Sequence, residues 1–259
     1  MELTKQNNTF IKKAYISAFS TFIAEIITLP ICTIKTVYQN NPLFTTKQTI
    51  QYIYKQNGYK GFIQAFGPSI TSQILSTSSK FTFYETLKHY RSTEKHDLLN
   101  NSLNGILSGV FGSVITHPFD IWRNYKQRNL SYIDHIKKNY INLKQKQINK
   151  IYFITQTFYV GYKGSIGKNI VLYGSLFPLN DFYKSHFNSI FISAPLTTLT
   201  VSCLIQPFDY YKTIQMAQQN SNNLINIKSL YFRGFHLMLA RSLPHFLITM
   251  SLTELLLNL

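Results

Sequence analysis

The sequence predicts an all-α membrane protein built from three repeats of two helices each. Three observations predict it: a shortage of charge, a set of long uncharged runs, and a proline motif that recurs at regular spacing. Of the 259 residues only 14% are charged, against 45% hydrophobic and 15% aromatic. Soluble domains carry about 25% charged residues, and disordered polyelectrolytes carry far fewer apolar ones. Mean hydropathy is nevertheless −0.06, so the helices must be moderately polar and line something wet.

Charge-free runs extend from Gly61 to Ser79, from Asn101 to Pro118 and from Asn188 to Phe208. Each approaches the ~20 residues of a bilayer span. Ala14 to Ile34 is broken only by Glu25, Gly164 to Phe182 by Lys168 and Asp181, and a sixth run begins near Arg241 and reaches Leu259. Hydropathy alone leaves open a soluble all-α domain with buried helices of the same length.

The repeats argue against the soluble reading. Leu29-Pro30-Ile31-Cys32-Thr33-Ile34-Lys35, His117-Pro118-Phe119-Asp120-Ile121-Trp122-Arg123 and Gln206-Pro207-Phe208-Asp209-Tyr210-Tyr211-Lys212 each close an apolar run, and their prolines lie 88 and then 89 residues apart. Such self-similarity marks a repeat architecture, with repeats over 1–98, 99–187 and 188–259. Before each proline stand small residues on one helical face: Ser17, Thr21 and Ala24; Gly105, Gly109 and Gly112; Ala194, Thr198 and Val201. Small side chains there let helices approach closely. After each proline a glycine-bearing element, Asn57 to Phe62, Tyr162 to Gly164 or Phe232 to Gly234, opens the second helix.

Pro-x-Asp/Glu-x-x-Lys/Arg in triplicate resembles the repeated pattern of the mitochondrial carriers. Repeats two and three match it fully, whereas repeat one has Cys32 where the family has an acid. The resemblance implies six transmembrane helices in a pseudo-threefold barrel with short matrix-side amphipathic helices, and a central cavity open alternately to each side. Pro30, Pro118 and Pro207 would kink the odd helices toward a common axis. In the family's ring order Asp120 pairs with Lys212 and Asp209 with Lys35, while Arg123 faces Cys32 and lacks its acid. Gln39 and Gln127 fall where the family places glutamines that brace these matrix-side pairs; Met216 takes that place in repeat three. Ion pairs of this kind add little net stability once desolvation is counted, which suits a breakable gate. On the outer side the family's aromatic-acid-x-x-base pattern survives as Tyr84-Glu85-Thr86-Leu87-Lys88 and leaves Glu254 as the partner for Lys88. With the weaker gate outside, the unliganded protein is expected to rest open to that side.

Seven residues on from Ala65, Gly164 and Gly234 lie Ser72, Val171 and Arg241, the positions where family members contact substrate. An arginine at mid-membrane is costly unless it faces water or an anion. Lys80 and Lys168 add positive charge, and Glu25 is expected to pair with Lys80 or Arg241 or to titrate. Val171 and Leu172 resemble the aliphatic platform of nucleotide carriers. The expected substrate is therefore a small anion, with nucleotides or deoxynucleotides ahead of carboxylates such as keto acids. A carrier-like membrane protein without transport, and a basic soluble protein binding nucleic acid, are the rival classes.

Twenty-six Lys and Arg against 10 Asp and Glu give a formal charge of +16, which concentrates polyanions near a basic cavity. Eight Lys or Arg and one acid, Asp134, lie between Arg123 and Lys150. The positive-inside rule places that loop in the matrix and both termini outside; no nucleic-acid motif accompanies it. Gly164 and Gly234 open helices whose free N–H groups would hold cardiolipin by family analogy. No cleavable presequence is evident in Met1 to Lys13, and a monomer of the inner mitochondrial membrane is expected. Cys32 and Cys203 provide neither a disulfide framework nor a metal site, no cofactor is implied, and no enzyme motif is visible. Abundant Ile, Lys, Asn, Tyr and Phe suit an AT-rich genome such as that of a parasite, a protist or a large DNA virus.

Overall fold

The computed structural model describes residues 2–91, 98–145, 149–187, 190–217 and 233–257. Among these residues every regular element is a helix, joined by short turns, and there are no strands. The helices are α1 (Glu2–Asn40), α2 (Thr46–Asn57), a 3-10 turn (Gly58–Phe62), α3 (Phe66–Arg91), α4 (Leu98–Gln127), α5 (Tyr132–Gln145), α6 (Lys150–Phe158), α7 (Tyr162–His186), α8 (Ile190–Met216) and α9 (Phe235–Leu257). The interval from Pro207 to Gly234 is 27 residues against 35 from Pro30 to Ala65, which predicts a truncated or absent matrix helix in the third repeat; that segment, 218–232, lies outside the described residues.

Six long helices close a ring in chain order. α1 packs on α3, α3 on α4, α4 on α7, α7 on α8, α8 on α9, and α9 returns to α1. Pro30, Pro118 and Pro207 stand inside α1, α4 and α8. α1 begins at Glu2, well before the apolar run that predicts it.

Polarity is distributed in the reverse of a soluble protein. Ser20, Thr28, Ser69, Asn104, Thr116, Ser193, Thr197 and Gln206 are buried inside the ring, while Phe19, Ile27, Ile74, Phe111, Ile115, Ile170, Leu199, Leu204 and Leu247 are exposed on its outside. In water the reverse pattern would be expected, and contiguous exposed apolar surface marks contact with a partner or a membrane. Among the described residues one stretch, Ala18–Asn40, is by itself long and apolar enough to cross a bilayer, with a mean hydropathy of 1.5. The other long helices are diluted by the polar residues on their inner faces, which is why whole-helix hydropathy under-reads a helix that is apolar on one side only.

Glycines set the spacing of neighbouring helices. A Cβ on Gly109 would lie 2.5 Å from the Tyr173 ring, one on Gly112 2.5 Å from Lys80 Cγ, and one on Gly167 2.4 Å from the Phe208 ring. At Gly164 the obstacle is the backbone: an added Cβ would lie 3.0 Å from the N and Cα atoms of Lys212. Backbone cannot swing aside as a side chain does. Gly164→Val should therefore wedge α7 from α8 and lower stability by about 1–3 kcal/mol, read as a fall in the thermal midpoint of the detergent-solubilised protein.

Short helices join the long ones at one end of the ring. α2 starts with a capping box, in which Thr45 and Gln48 satisfy each other's backbone N–H groups. α5 and α6 pair through Asn139, whose Nδ2 donates to Thr157 Oγ1 at 3.1 Å. His135, on α5, lies 3.0 Å from the Tyr125 hydroxyl at the end of α4. Burial holds the His135 imidazole below its ordinary pKa of 6.5, and backbone contacts at Thr157 and Gln156 offset only part of this. Because the folded-state pKa is depressed, the neutral ring stabilises this corner above pH 6.5, and that contribution is lost as pH falls through the folded value. Proteolytic nicking of α5–α6 should thus rise on acidification below pH 6.5, and His135→Gln should flatten the response.

Candidate functional site

Among the described side chains three carboxylates lie inside the ring, and each is held by cations or donors from two other helices. Asp120, on α4, accepts from Lys212 Nζ of α8 at 2.6 Å and from the Ser72 hydroxyl of α3. Asp209, on α8, pairs with Lys35 of α1 and with Lys168 Nζ of α7 at 2.5 Å. Glu25, on α1, lies 3.1 Å from an Arg241 nitrogen of α9 and 3.8 Å from an Arg123 nitrogen of α4, with His245 Nδ1 at 3.9 Å. Every acid therefore ties two of α1, α4 and α8 together and takes a further contact from α3, α7 or α9.

The local sequence explains these placements. In each Pro-x-acid-x-x-base segment the acid follows the proline by two residues and the base follows the acid by three, so both project from one helical face. Among the described side chains six cations, Lys35, Lys80, Arg123, Lys168, Lys212 and Arg241, share the interior with three acids, Glu25, Asp120 and Asp209. Lys80 Nζ stands 6.0 Å from the centre of the Tyr173 ring. The surplus is positive. In a low-dielectric interior like charges repel strongly and each needs a counter-charge or water.

Several expectations need correction. Arg123 does not lack an acid, because Glu25 supplies one from two turns back along α1. Glu25 contacts Arg241 and Arg123 and makes no ion pair with Lys80. Gln127 braces no acid–base pair: its Nε2 donates to Cys32 Sγ at 3.2 Å and its Oε1 accepts from Thr36 at 2.7 Å. Gln39 is fully buried against Gly234, and its amide makes no hydrogen bond among the described residues. Val171 and Leu172 lean on the buried Val201, Ile205 and Met238 cluster, so their exposed area is smaller than an open platform would offer. The Gly164 N–H is not free, since it donates to Gly161 O at 3.1 Å. It is Gly161, with φ +77°, and Gly234, also at +77°, that make the left-handed turns into α7 and α9.

On the far side Tyr84 donates to Asn101 Oδ1 at 3.3 Å. The side chains of Glu85 and Glu254 lie outside the described residues, and with them the pair expected between Glu254 and Lys88. Two contributors went unseen in the sequence. His245 stands one helical turn after Arg241, a spacing that puts both on one face and was available as a signal. The contact of Ser72 with Asp120 had none, because it joins residues 48 apart.

A closed helix ring, apolar outside and lined within by charges that tie alternate helices together, is the framework of a membrane solute carrier. The mitochondrial carrier protein family model matches residues 6–95. The chain is 39% identical over 238 residues, 91% of each chain, to the mitochondrial carrier-like protein L276 of Acanthamoeba polyphaga mimivirus. It is 32% identical over 82 residues, 31% of this chain and 25% of the relative, to the mitochondrial carrier protein CoAc1 of Arabidopsis thaliana. Over 126 residues, 43% of this chain and 34% of the relative, it is 28% identical to the mitochondrial substrate carrier family protein H of Dictyostelium discoideum. The chain belongs to the mitochondrial carrier family.

Proposed function

We propose that the protein exchanges anionic metabolites, nucleotides or deoxynucleotides first among them, across the inner mitochondrial membrane by alternating access through its central cavity. The observation that carries this reading is the excess of interior cations over carboxylates among the described side chains, centred on the part-buried Arg241. A phosphate group matches such a site because a guanidinium offers two parallel donors and the lysines add point charge. With Lys35–Asp209 and Lys212–Asp120 formed, the matrix side is shut and the cavity faces outward. Substrate phosphates would compete with the acids for Arg241 and Lys168, loosen the gate and let the ring open inward. The exposed apolar belt and the basic segment from Arg123 to Lys150 support six membrane-crossing helices in three repeats, with that segment in the matrix. The mimivirus relative suits a virus-encoded carrier placed in a host's organelle.

Reconstituted protein in liposomes preloaded with unlabelled nucleotides should take up labelled nucleotides faster than labelled keto acids. Preference for the keto acids would transfer the reading to carboxylate exchange. Absence of uptake from the whole panel would leave a carrier-like protein with another role.

A further inference from the structure

Repeat one has lost the acid of its motif, yet the two arginines nearest its place, Arg123 and Arg241, are both largely withdrawn from solvent, at 18% and 20% exposed. Cys32 occupies the acid's position, is 3% exposed, and is bonded by the Gln127 amide. Arg123 and Arg241 are both within electrostatic reach of it and of each other. Two partly desolvated guanidinium groups side by side are stabilised by a shared anion. Glu25, itself 1% exposed, is the carboxylate that meets them.

Its position follows from helix geometry. Glu25 precedes Cys32 by seven residues, almost two full turns, so the two side chains leave the same face of α1 about 10 Å apart along the axis. The base that must bridge that distance comes from repeat two and is the longer one: Arg123 stands where repeats one and three have Lys35 and Lys212. The contact is stretched, at 3.8 Å, and Glu25 Oε1 accepts no hydrogen bond among the described residues. Oε2 instead faces Arg241 at 3.1 Å.

We propose that Glu25 is the third carboxylate of the gate, moved two turns along α1 toward the cavity, and that an anion arriving at Arg241 detaches it there. The second half rests on the anion-carrier reading; the first does not. Gate and binding site then share one residue. While the cavity is empty, Glu25 divides its charge between Arg241 and Arg123. Once a substrate phosphate neutralises Arg241, the Glu25–Arg241 ion pair is lost, and Glu25 keeps only the longer contacts to Arg123 at 3.8 Å and His245 at 3.9 Å. The other two acids lie within their proline motifs and are tied to α3 and α7 by Ser72 and Lys168.

The test is to put the acid back. In detergent and without substrate, thermal unfolding is followed through the single tryptophan, Trp122. Glu25→Gln should lower the midpoint by about 6 °C or more. Adding Cys32→Asp, or Cys32→Glu where the aspartate variant does not fold, should restore at least half of that loss, and Arg123→Gln should abolish the restoration. A double variant no more stable than Glu25→Gln, with helix content unchanged, would overturn the proposal and reduce Glu25 to a counterion of Arg241. This cycle needs no transport, so it decides the matter even if liposomes take up no anion in the panel. Where they do, Glu25→Gln with Cys32→Asp should bind substrate about tenfold more tightly, because Arg241 is no longer shared, and should exchange it more slowly. An unchanged KM would overturn the detachment step.

Discussion

Asp209→Asn is expected to be the most damaging single substitution in the gate, worse than Asp120→Asn. Asp209 neutralises two lysines, Lys35 from α1 and Lys168 from α7, whereas Asp120 neutralises Lys212 and accepts from the uncharged Ser72. Replacing a carboxylate by an amide of the same shape leaves the cations in place and removes only their partner. Breaking a buried pair in this way costs about 3–5 kcal/mol, and here two cations are orphaned on α1 and α7 at once. The thermal midpoint of Asp209→Asn should therefore fall further than that of Asp120→Asn, and exchange should be lost. Adding Lys168→Met to Asp209→Asn should recover part of the loss by removing one unpaired charge. Equal midpoints for the two single variants would mean that Lys168 is solvated and adds nothing to the pair.

Arg241→Ala carries the largest expected effect on transport. Its guanidinium is the cation on α9 that faces the cavity acids, and it is held by Glu25 at 3.1 Å. A hydrogen bond between charged partners contributes about 1.5–3 kcal/mol net, and each 1.4 kcal/mol is about tenfold in affinity. Losing a two-pronged contact to substrate should thus reduce nucleotide uptake by roughly 100-fold. Arg241→Lys keeps the charge and loses the fork, so it should fall between wild type and alanine. Alanine also leaves Glu25 with a distant partner, so its thermal midpoint should drop, whereas lysine should largely preserve it. Uptake by Arg241→Ala at the wild-type rate would place the substrate contact on Lys80 and Lys168 instead.

In the proposed reading the two expectations differ in kind because the residues are assigned different roles. Asp209 belongs to the gate itself, so its loss reaches stability and transport together. Arg241 belongs to the cavity, and lysine at that position should separate binding from folding.

Much of this organisation is written locally. The prolines, the acid–base spacing around Asp120 and Asp209, and the small residues at Gly109 and Gly112 act within a turn or two of the chain. Helix geometry converts such spacing into a shared face without reference to any other segment, so the helices, the proline positions and the gate residues on α4 and α8 could be read directly. The resemblance of the triplicate motif to a carrier family supplied the ring order, and with it the pairing of Lys35 with Asp209 and Lys212 with Asp120.

What required tertiary structure was every choice among partners equally available in sequence. Cys32 made the first repeat look one acid short; only the approach of α4 and α9 to α1 brings Glu25 to Arg123 and Arg241. Lys168 read as a free cavity charge until the packing of α7 on α8 placed it on Asp209, and Gly164 read as an anion cradle until Lys212 was found against it. Ion pairing depends on distance in space, and a long arginine or lysine reaches any acid within several ångströms of its helix. Motif spacing fixes which face a charge leaves from, but the packing of neighbouring helices decides which opposite charge it meets.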